Sequence, residues 1–354
     1  MKQFVVNKFK QVYCKHVGNR KNKVLSNAVN KKLSPLELRE LKQYWGDKFT
    51  KSSLAVYEFY KGFGVFNPQL VPNNIYAEAE RLLNPFRYSL FAQHKCCLKY
   101  FIPQEHRPKT IIQNIDNHYL DREDNVINLS QAVAIAEQYD SFMIKIAAGS
   151  GGGRGIRKVC KGDDVAAIFA DYGKDFICQE LLTEHPTLSR FNPECINTIR
   201  VLSLNINGRC SILSSFVRMG GRGSIVDNLH SEEGGGCLVG LNQDGKLATF
   251  GINKNYKIVE TSPMGESFAG MVIEGYDTIS TFIKDCHVKN FPFANLIGWD
   301  VIIDEMSQPI IIEINLDSAD IAAHQIFNGP IYGDRTEEVL EYMKSNPQKT
   351  IIKM

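Results

Sequence analysis

Near the end of the chain, two strands bring three oxygen-bearing side chains within reach of one another. In "IGWDVIIDEMSQPIIIEIN", residues 297–315, two apolar runs flank the short loop Glu305-Met306-Ser307-Gln308. With Asp304 paired to Pro309, a hairpin over 298–304 and 309–315 sets Ile302 opposite Ile311 and Asp300 opposite Glu313. Side chains on one face recur every second residue, which adds Asn315 to the same side. Carboxylates buried against each other are costly without a cation. A few hard oxygen ligands on a rigid platform describe a Mg²⁺ site completed by water and nucleotide phosphates. The alternative is an ion-pair network in which Arg200 or Arg218 neutralises the acids.

A second stretch, "FMIKIAAGSGGGRGIRKV" at 142–159, sets Lys145 inside an apolar run beside a loop that is nearly bare backbone. It is not a P-loop, which needs G-x-x-x-x-G-K-[ST]. Nor is it a dinucleotide fingerprint, because Arg154 and Ile156 interrupt the glycine spacing. The loop reads as a flap between antiparallel strands. The amides of Gly151, Gly152 and Gly153 can close over phosphates where no side chain intervenes, and Lys145 supplies a point charge at the base.

The elements that must position these residues follow from pattern. Ser34-Pro35-Leu36-Glu37 opens a helix as a capping box and Gly46 stops it. Residues 74–83 and 86–101 also read as helical. From about 109 strands take over: "TIIQNI", a helix from Ser130 to Tyr139, "FMIKIAA", "GIRKVC", a helix over "DDVAAIFADYG", and "DFICQELL". Longer strands occupy 196–304, with tight hairpins at Asn207-Gly208 and Asp244-Gly245. Helices near 318–327 and 334–344 close the chain. The class is α+β with a large antiparallel component.

Composition bounds the function. Lys and Arg number 41 against 39 Asp and Glu, a net charge of +2, which argues against nucleic acid as a partner. Nine cysteines without a C-x-x-C pair read as reduced thiols of an intracellular protein. No apolar run approaches the ~18 residues of a membrane span, and the start lacks a secretory signal, so the expected location is the cytoplasm. The first 33 residues carry nine Lys or Arg and no acid. They read either as a solvated terminus or as an arm touching anionic lipid at the inner membrane face.

A strand lysine, a glycine flap, "CQELL", an Asp strand and then E-x-N resemble, in that order and spacing, the ATP-grasp superfamily. "NTIRVLSL", "VRMGGRGSIVDN", "EEGGGCLVGLN", "IGWDVIID" and "IIIEIN" further resemble its sugar-transfer-associated group, linked with bacterial polysaccharide assembly. The resemblance covers about 90–330. It implies two α/β lobes clamping ATP, with a small nucleotide-binding lobe at about 125–185 and a large metal-binding lobe at about 190–345. These form an ATP-grasp domain over 86–345, behind a basic, mostly helical extension over 1–85. It also implies ATP and Mg²⁺ as cofactors and ligation of a carboxylate to an amine through an acyl phosphate, with an amino acid, sugar acid or amino sugar as substrate.

By the same resemblance Lys145 meets the nucleotide phosphates and Lys95, in "HKCCLKYFIP", matches an earlier lysine, although His94 replaces the usual Asp before it. Gln179, Glu180 and Leu182 match the hinge that meets adenine, and Asp300, Glu313 and Asn315 match the metal ligands. D-alanine–D-alanine ligases place an arginine two residues before the metal-binding Asp. Gly298 stands there in this chain, which leaves Arg200 and Arg218 to meet developing charge. Two other readings share the motifs: a kinase phosphorylating a hydroxyl, and a non-catalytic nucleotide-binding subunit.

Overall fold

The computed structural model of the protein describes residues 31–84, 86–150, 153–227, 235–317 and 320–346. The arm before residue 31, and with it most of the basic terminus, lies outside the described residues, as do Gly151 and Gly152. Among the described residues no helix is long and apolar enough to cross a membrane, and the described cysteines are free thiols.

Helix α1 (Pro35–Trp45) begins with the expected capping box between Ser34 and Glu37 and stops at Gly46, whose φ is 53°. Helix α2 (Lys51–Gly62) repeats the device with Thr50 and Ser53, and α3 (Asn73–Leu83) follows Pro72. Helix α4 (Phe86–Ala92) gives way to a 3₁₀ turn at Lys95–Tyr100 instead of continuing to 101.

Six strands form the first sheet: β1 (Thr110–Ile115), β2 (His118–Leu120), β3 (Val126–Ile127), β4 (Ser141–Ile146), β5 (Ile156–Cys160) and β6 (Phe176–Gln179). Their order is β3-β2-β1-β6-β4-β5. The sheet starts upstream of the expected boundary near 125, because β1 pairs with β6. Helices α5 (Leu129–Ala136) and α6 (Val165–Tyr172) cover one face through Ala132, Ala136, Ile168 and Phe169. The cap of α5 is Asn128, not Ser130: its side chain accepts from the Gln131 amide while Gln131 reaches back. An amide caps as well as a hydroxyl, and Gln three residues on completes the box.

The second sheet holds β7 (Thr198–Ile206), β8 (Arg209–Met219), β9 (Cys237–Leu241), β10 (Leu247–Asn253), β11 (Ile258–Val259), β12 (Leu296–Ile303) and β13 (Pro309–Asn315). Their order is β11-β10-β9-β8-β7-β12-β13. Strands β7 and β12 are buried along their whole lengths because both faces are covered. Leu202, Leu204 and Phe216 share a cluster with Leu41, Tyr60, Ala79 and Leu82 of the first three helices, and with α8 (Ile321–Asn328) and α9 (Thr336–Ser345). Val201, Trp299 and Val301 lie instead against α7 (Tyr276–Asn290). The described part of the expected 1–85 extension is therefore a layer of the large lobe: its apolar stripes bury against that sheet.

Two turns differ in kind. Asn207 and Gly208, with φ of 53° and 81°, make the tight β7–β8 hairpin. Between β9 and β10 the loop spans 242–246. There the Asn242 side chain accepts from the amides of Asp244 and Lys246, so the expected two-residue Asp-Gly hairpin is replaced by a side-chain-braced loop.

His287 illustrates how tightly the second core is determined. The Trp299 indole N–H donates to Ser203 Oγ at 2.7 Å, Ser203 lies 2.7 Å from His287 Nδ1, and His287 Nε2 lies 3.0 Å from the Ala294 carbonyl oxygen. A carbonyl can only accept, so Nε2 carries the proton and Nδ1 accepts from Ser203. Burial lowers the imidazole from 6.5 to about 4. The folded-state value lies below the unfolded one, so the associated stability is full above about pH 6.5 and is lost as pH falls towards 4. Urea melts should show a loss of about 3 kcal/mol across that window attributable to this residue. His287→Asn should be less stable at pH 7 yet flatter with pH, and an equal acid slope in both proteins would contradict the assignment.

Candidate active site

A cleft of about 890 Å³ opens between the two sheets. Its floor is a cross-strand row: Arg200 on β7 pairs with Asp300 on β12, and Asp300 pairs with Glu313 on β13. The route to that register differs from the one expected. Ile303, not Asp304, faces Pro309, and Ile302 faces Ile310. An irregularity between Asp300 and Val301 skips Ile312 and restores Asp300 opposite Glu313. The extra residue is a β-bulge, which sequence alternation alone does not announce. Asp304 instead closes the hairpin, its amide donating to the Gln308 carbonyl at 2.9 Å.

Cations saturate this row. The Arg200 guanidinium grips Asp300 with two donors, Nη2 at 3.1 Å from Oδ2. Arg218 on β8 bridges Asp300, at 3.3 Å, and Asp227, at 3.4 Å. Asp227 also accepts from the Thr198 hydroxyl. Lys95 Nζ lies 2.9 Å from Glu313 Oε2, and Asn315 Nδ2 lies 3.5 Å from Asp300 Oδ2. The ion-pair network weighed as an alternative to the metal site is thus present.

The two acids of the row differ. Burial pushes Asp300 up to about 6 against the pull of Arg200 and Arg218. Burial acts the same way on Glu313, but the Lys95 charge 2.9 Å away outweighs it and holds the carboxyl well below the usual carboxylate range.

Lys145, 9 % exposed, stands on β4 opposite Ile156 and Ile177 and lines the same cleft. Burial, then the charge of Lys95, lower it to about 8, while Glu313 and Asp227 act in the opposite sense. The glycine flap does join β4 to β5. Gly153 lines the cleft with φ 73°. Gly155 has a steric reason of its own, since a Cβ there would lie 2.3 Å from Ile146 Cδ1 at φ +67°.

A family model described as sugar-transfer associated ATP-grasp matches residues 77–341, most of the chain. The chain belongs to this family. No curated protein matches the sequence. Among solved structures, the chain is similar to D-alanyl-alanine synthetase A from Vibrio cholerae (14 % identity, TM-score 0.43, covering 72 % of this chain and 64 % of that one). It is also similar to the biotin carboxylase domain of a 2-oxoglutarate carboxylase from Hydrogenobacter thermophilus (14 %, 0.39, 68 % and 45 %). A third is VanG D-Ala:D-Ser ligase from Enterococcus faecalis (15 %, 0.42, 72 % and 61 %). The chain spans less than two thirds of each.

Within this ATP-grasp chain, the cleft collects Lys95, Lys145, Gly153, Glu180, Leu182, Arg200, Arg218, Asp300, Glu313 and Asn315 of the residues singled out from sequence. Among the described residues so singled out, Gln179 is the exception. It is buried at the end of β6, paired with Met143 and Thr110, and is not part of the cleft wall. The wall begins one residue later, where the strand ends and Glu180, Leu181 and Leu182 turn along the opening. Sequence reasoning did not single out Asp227 or Glu184. The Glu184 carboxylate accepts from the Asn197 amide and side chain, and burial pushes it up to about 8. Both sit in irregular segments, where no periodicity marks a side chain as inward-facing. The only sequence signal for Asp227 was its place within the family-like "VRMGGRGSIVDN".

Proposed function

We propose that this ATP-grasp protein is an ATP- and Mg²⁺-dependent ligase joining a carboxylate to an amine through an acyl phosphate. The observation that carries the reading is the charge arrangement: Lys95, Lys145, Arg200 and Arg218 gather around Asp300, Glu313 and Asp227 in one cleft. Four cations about three carboxylates suit a polyphosphate. Among the described residues no group of three or more His, Cys, Asp or Glu could hold a metal ion alone. Asp300, Glu313 and Asn315 still supply hard oxygen donors on one rigid sheet edge, and would hold Mg²⁺ that arrives with the nucleotide. When bound, Mg²⁺ supplies neutralisation of charge on the transferring phosphoryl group.

The chain's own residues do the rest. Lys145 and Lys95 bind phosphate oxygens from one side, while Arg200 and Arg218 orient the carboxylates and offer charge to the acyl phosphate. Glu180 to Leu182 line the adenine end. In this reading one substrate is a sugar acid or amino sugar, in keeping with the sugar-transfer association in the family's description, the other is an amino acid, and the product serves bacterial surface polysaccharide assembly.

Purified protein with ATP, Mg²⁺ and panels of acids and amines should release ADP and phosphate in step with amide formation, only when both partners are present. A stable phosphorylated product from one hydroxyl substrate without an amine would replace the reading with a kinase. Nucleotide binding with no turnover across the panels would leave a binding subunit.

Lys145 makes ATP affinity fall as pH rises. Phosphates favour the ammonium, so binding takes up a proton once the free amine titrates near 8. Affinity is expected to fall about tenfold from pH 7.5 to 9. Calorimetry in buffers of different ionisation enthalpy measures the proton uptake. Lys145→Met should bind weakly at every pH without that slope, and a wild-type affinity that is flat across the range would contradict the assignment.

The basic arm suits peripheral contact with anionic lipid on the cytoplasmic side. Full-length protein should sediment with acidic liposomes in a salt-sensitive way and a chain starting at Ser34 should not. Equal sedimentation of the two would remove this role.

A further inference from the structure

β13 ends at Asn315, the last residue with a ladder partner, Gly298. The next residue, Leu316, is buried and has no strand to pair with, so its backbone groups need other partners. They find them in the helical segment far upstream. The Leu316 amide donates to Gln93 Oε1 at 2.8 Å, and the Leu316 carbonyl accepts from Asn84 Nδ2 at 2.7 Å.

Asn84 is itself fully engaged. Its Nδ2 also donates to the Leu296 carbonyl, and its Oδ1 accepts from the amides of Asn295 and Leu296, each at 3.0 Å. Gln93 is oriented by its other end, Nε2 lying 3.3 Å from the Ser89 carbonyl. Two residues beyond Gln93, the Lys95 amide donates to the Ala147 carbonyl at 2.9 Å, and Lys95 Nζ meets Glu313. One short segment thus grips the strand end immediately after Asn315 and delivers the cation that meets Glu313.

We propose that Gln93 is a positioning residue. By accepting from the Leu316 amide it fixes the end of β13, and so the placement of Asn315 and Glu313 towards a nucleotide-bound divalent cation. The inference rests on the proposed metal role of those two residues. Residues that orient ligands in this way commonly affect metal affinity by ~10- to 100-fold when removed.

The test has a ligand-free arm and a binding arm. In the metal-free wild type, hydrogen exchange should show the Leu316 amide as protected as the β13 ladder. Gln93→Met, which keeps length and loses the oxygen, should raise exchange at Leu316 at least tenfold while the β7 and β12 amides stay protected. Gln93→Glu, which keeps an acceptor, should restore protection.

In calorimetry, Gln93→Met should weaken Mn²⁺·ATP about tenfold or more and leave metal-free ATP unchanged. Rapid exchange at Leu316 in the wild type overturns the inference, as does undiminished Mn²⁺·ATP affinity in Gln93→Met, or an equal loss for ATP with and without Mn²⁺. Wild-type protein that binds no nucleotide overturns it together with the ligase reading. Wild type that binds Mn²⁺·ATP alongside an indifferent Gln93→Met removes the inference alone.

Discussion

Glu313→Gln is expected to slow phosphoryl transfer by ~10²–10³ while leaving the fold intact. The change keeps the shape of the side chain and its place opposite Asp300, so the strand pairing has no reason to move. What it removes is the negative charge that Lys95 meets at 2.9 Å and that the proposed metal needs. The amide does not ionise, so no pH restores that charge. Losing one preorganised electrostatic contact at a developing charge commonly costs that much in rate. Lys145→Met should fall in the same range, because an unbranched apolar side chain replaces the amine in a strand whose neighbours are Ile144 and Ile146. Rates of ADP release under saturating ATP, read beside urea melts, check both. A variant that loses several kcal/mol of stability, or one that keeps full rate, would count against this assignment of charge.

Arg200→Met should lower stability as well as activity. The arginine is nearly fully buried and its guanidinium is committed to Asp300. Removing Arg200 leaves Asp300 with Arg218 as its remaining cationic partner, a loss of up to ~3–5 kcal/mol by comparison with broken buried pairs. Burial already pushes the Asp300 carboxyl above the usual carboxylate range against the pull of Arg200 and Arg218; without Arg200 it should move higher. The double variant Arg200→Met/Asp300→Asn removes both charges and should recover most of the lost stability, since a neutral pair in the same volume needs no counter-ion. Neither variant should regain activity. Denaturant melts of the two single variants and the double one give the coupling directly. Additive effects of the two changes would show that the pair is not the unit the structure makes it.

Much of the site was legible because its chemistry lies on strands. Alternation by two places Glu313 and Asn315 on one face wherever the strand pairs, and a lysine between Ile144 and Ile146 stands out in any apolar run. The capping box at Ser34, the Asn207-Gly208 turn and the antiparallel pairing of β4 with β5 are equally local. Each is decided by backbone geometry over a few residues, and each stands where the sequence puts it.

What only the tertiary structure decided are the partners. The bulge between Asp300 and Val301 corrects a register that would otherwise be one residue off. The extra residue lies on β13, the edge strand of the sheet, while β12 pairs with β7 without a shift, so the edge strand absorbs the bulge. The sequence named Arg200 and Arg218 as possible counter-ions. That Arg200 sits directly across from Asp300, while Arg218 is shared with Asp227, follows from strand order β8-β7-β12-β13, and no local pattern encodes strand order. Lys95 meets Glu313, and Gln93 meets Leu316, across more than two hundred residues. Such contacts form because helices with an apolar stripe must bury it somewhere, and here Ala92 and Leu98, on either side of Gln93 and Lys95, bury with Ile199, Val201 and Trp299 of the large sheet. Periodicity states that a stripe exists; only the shape of the assembled core determines what it covers.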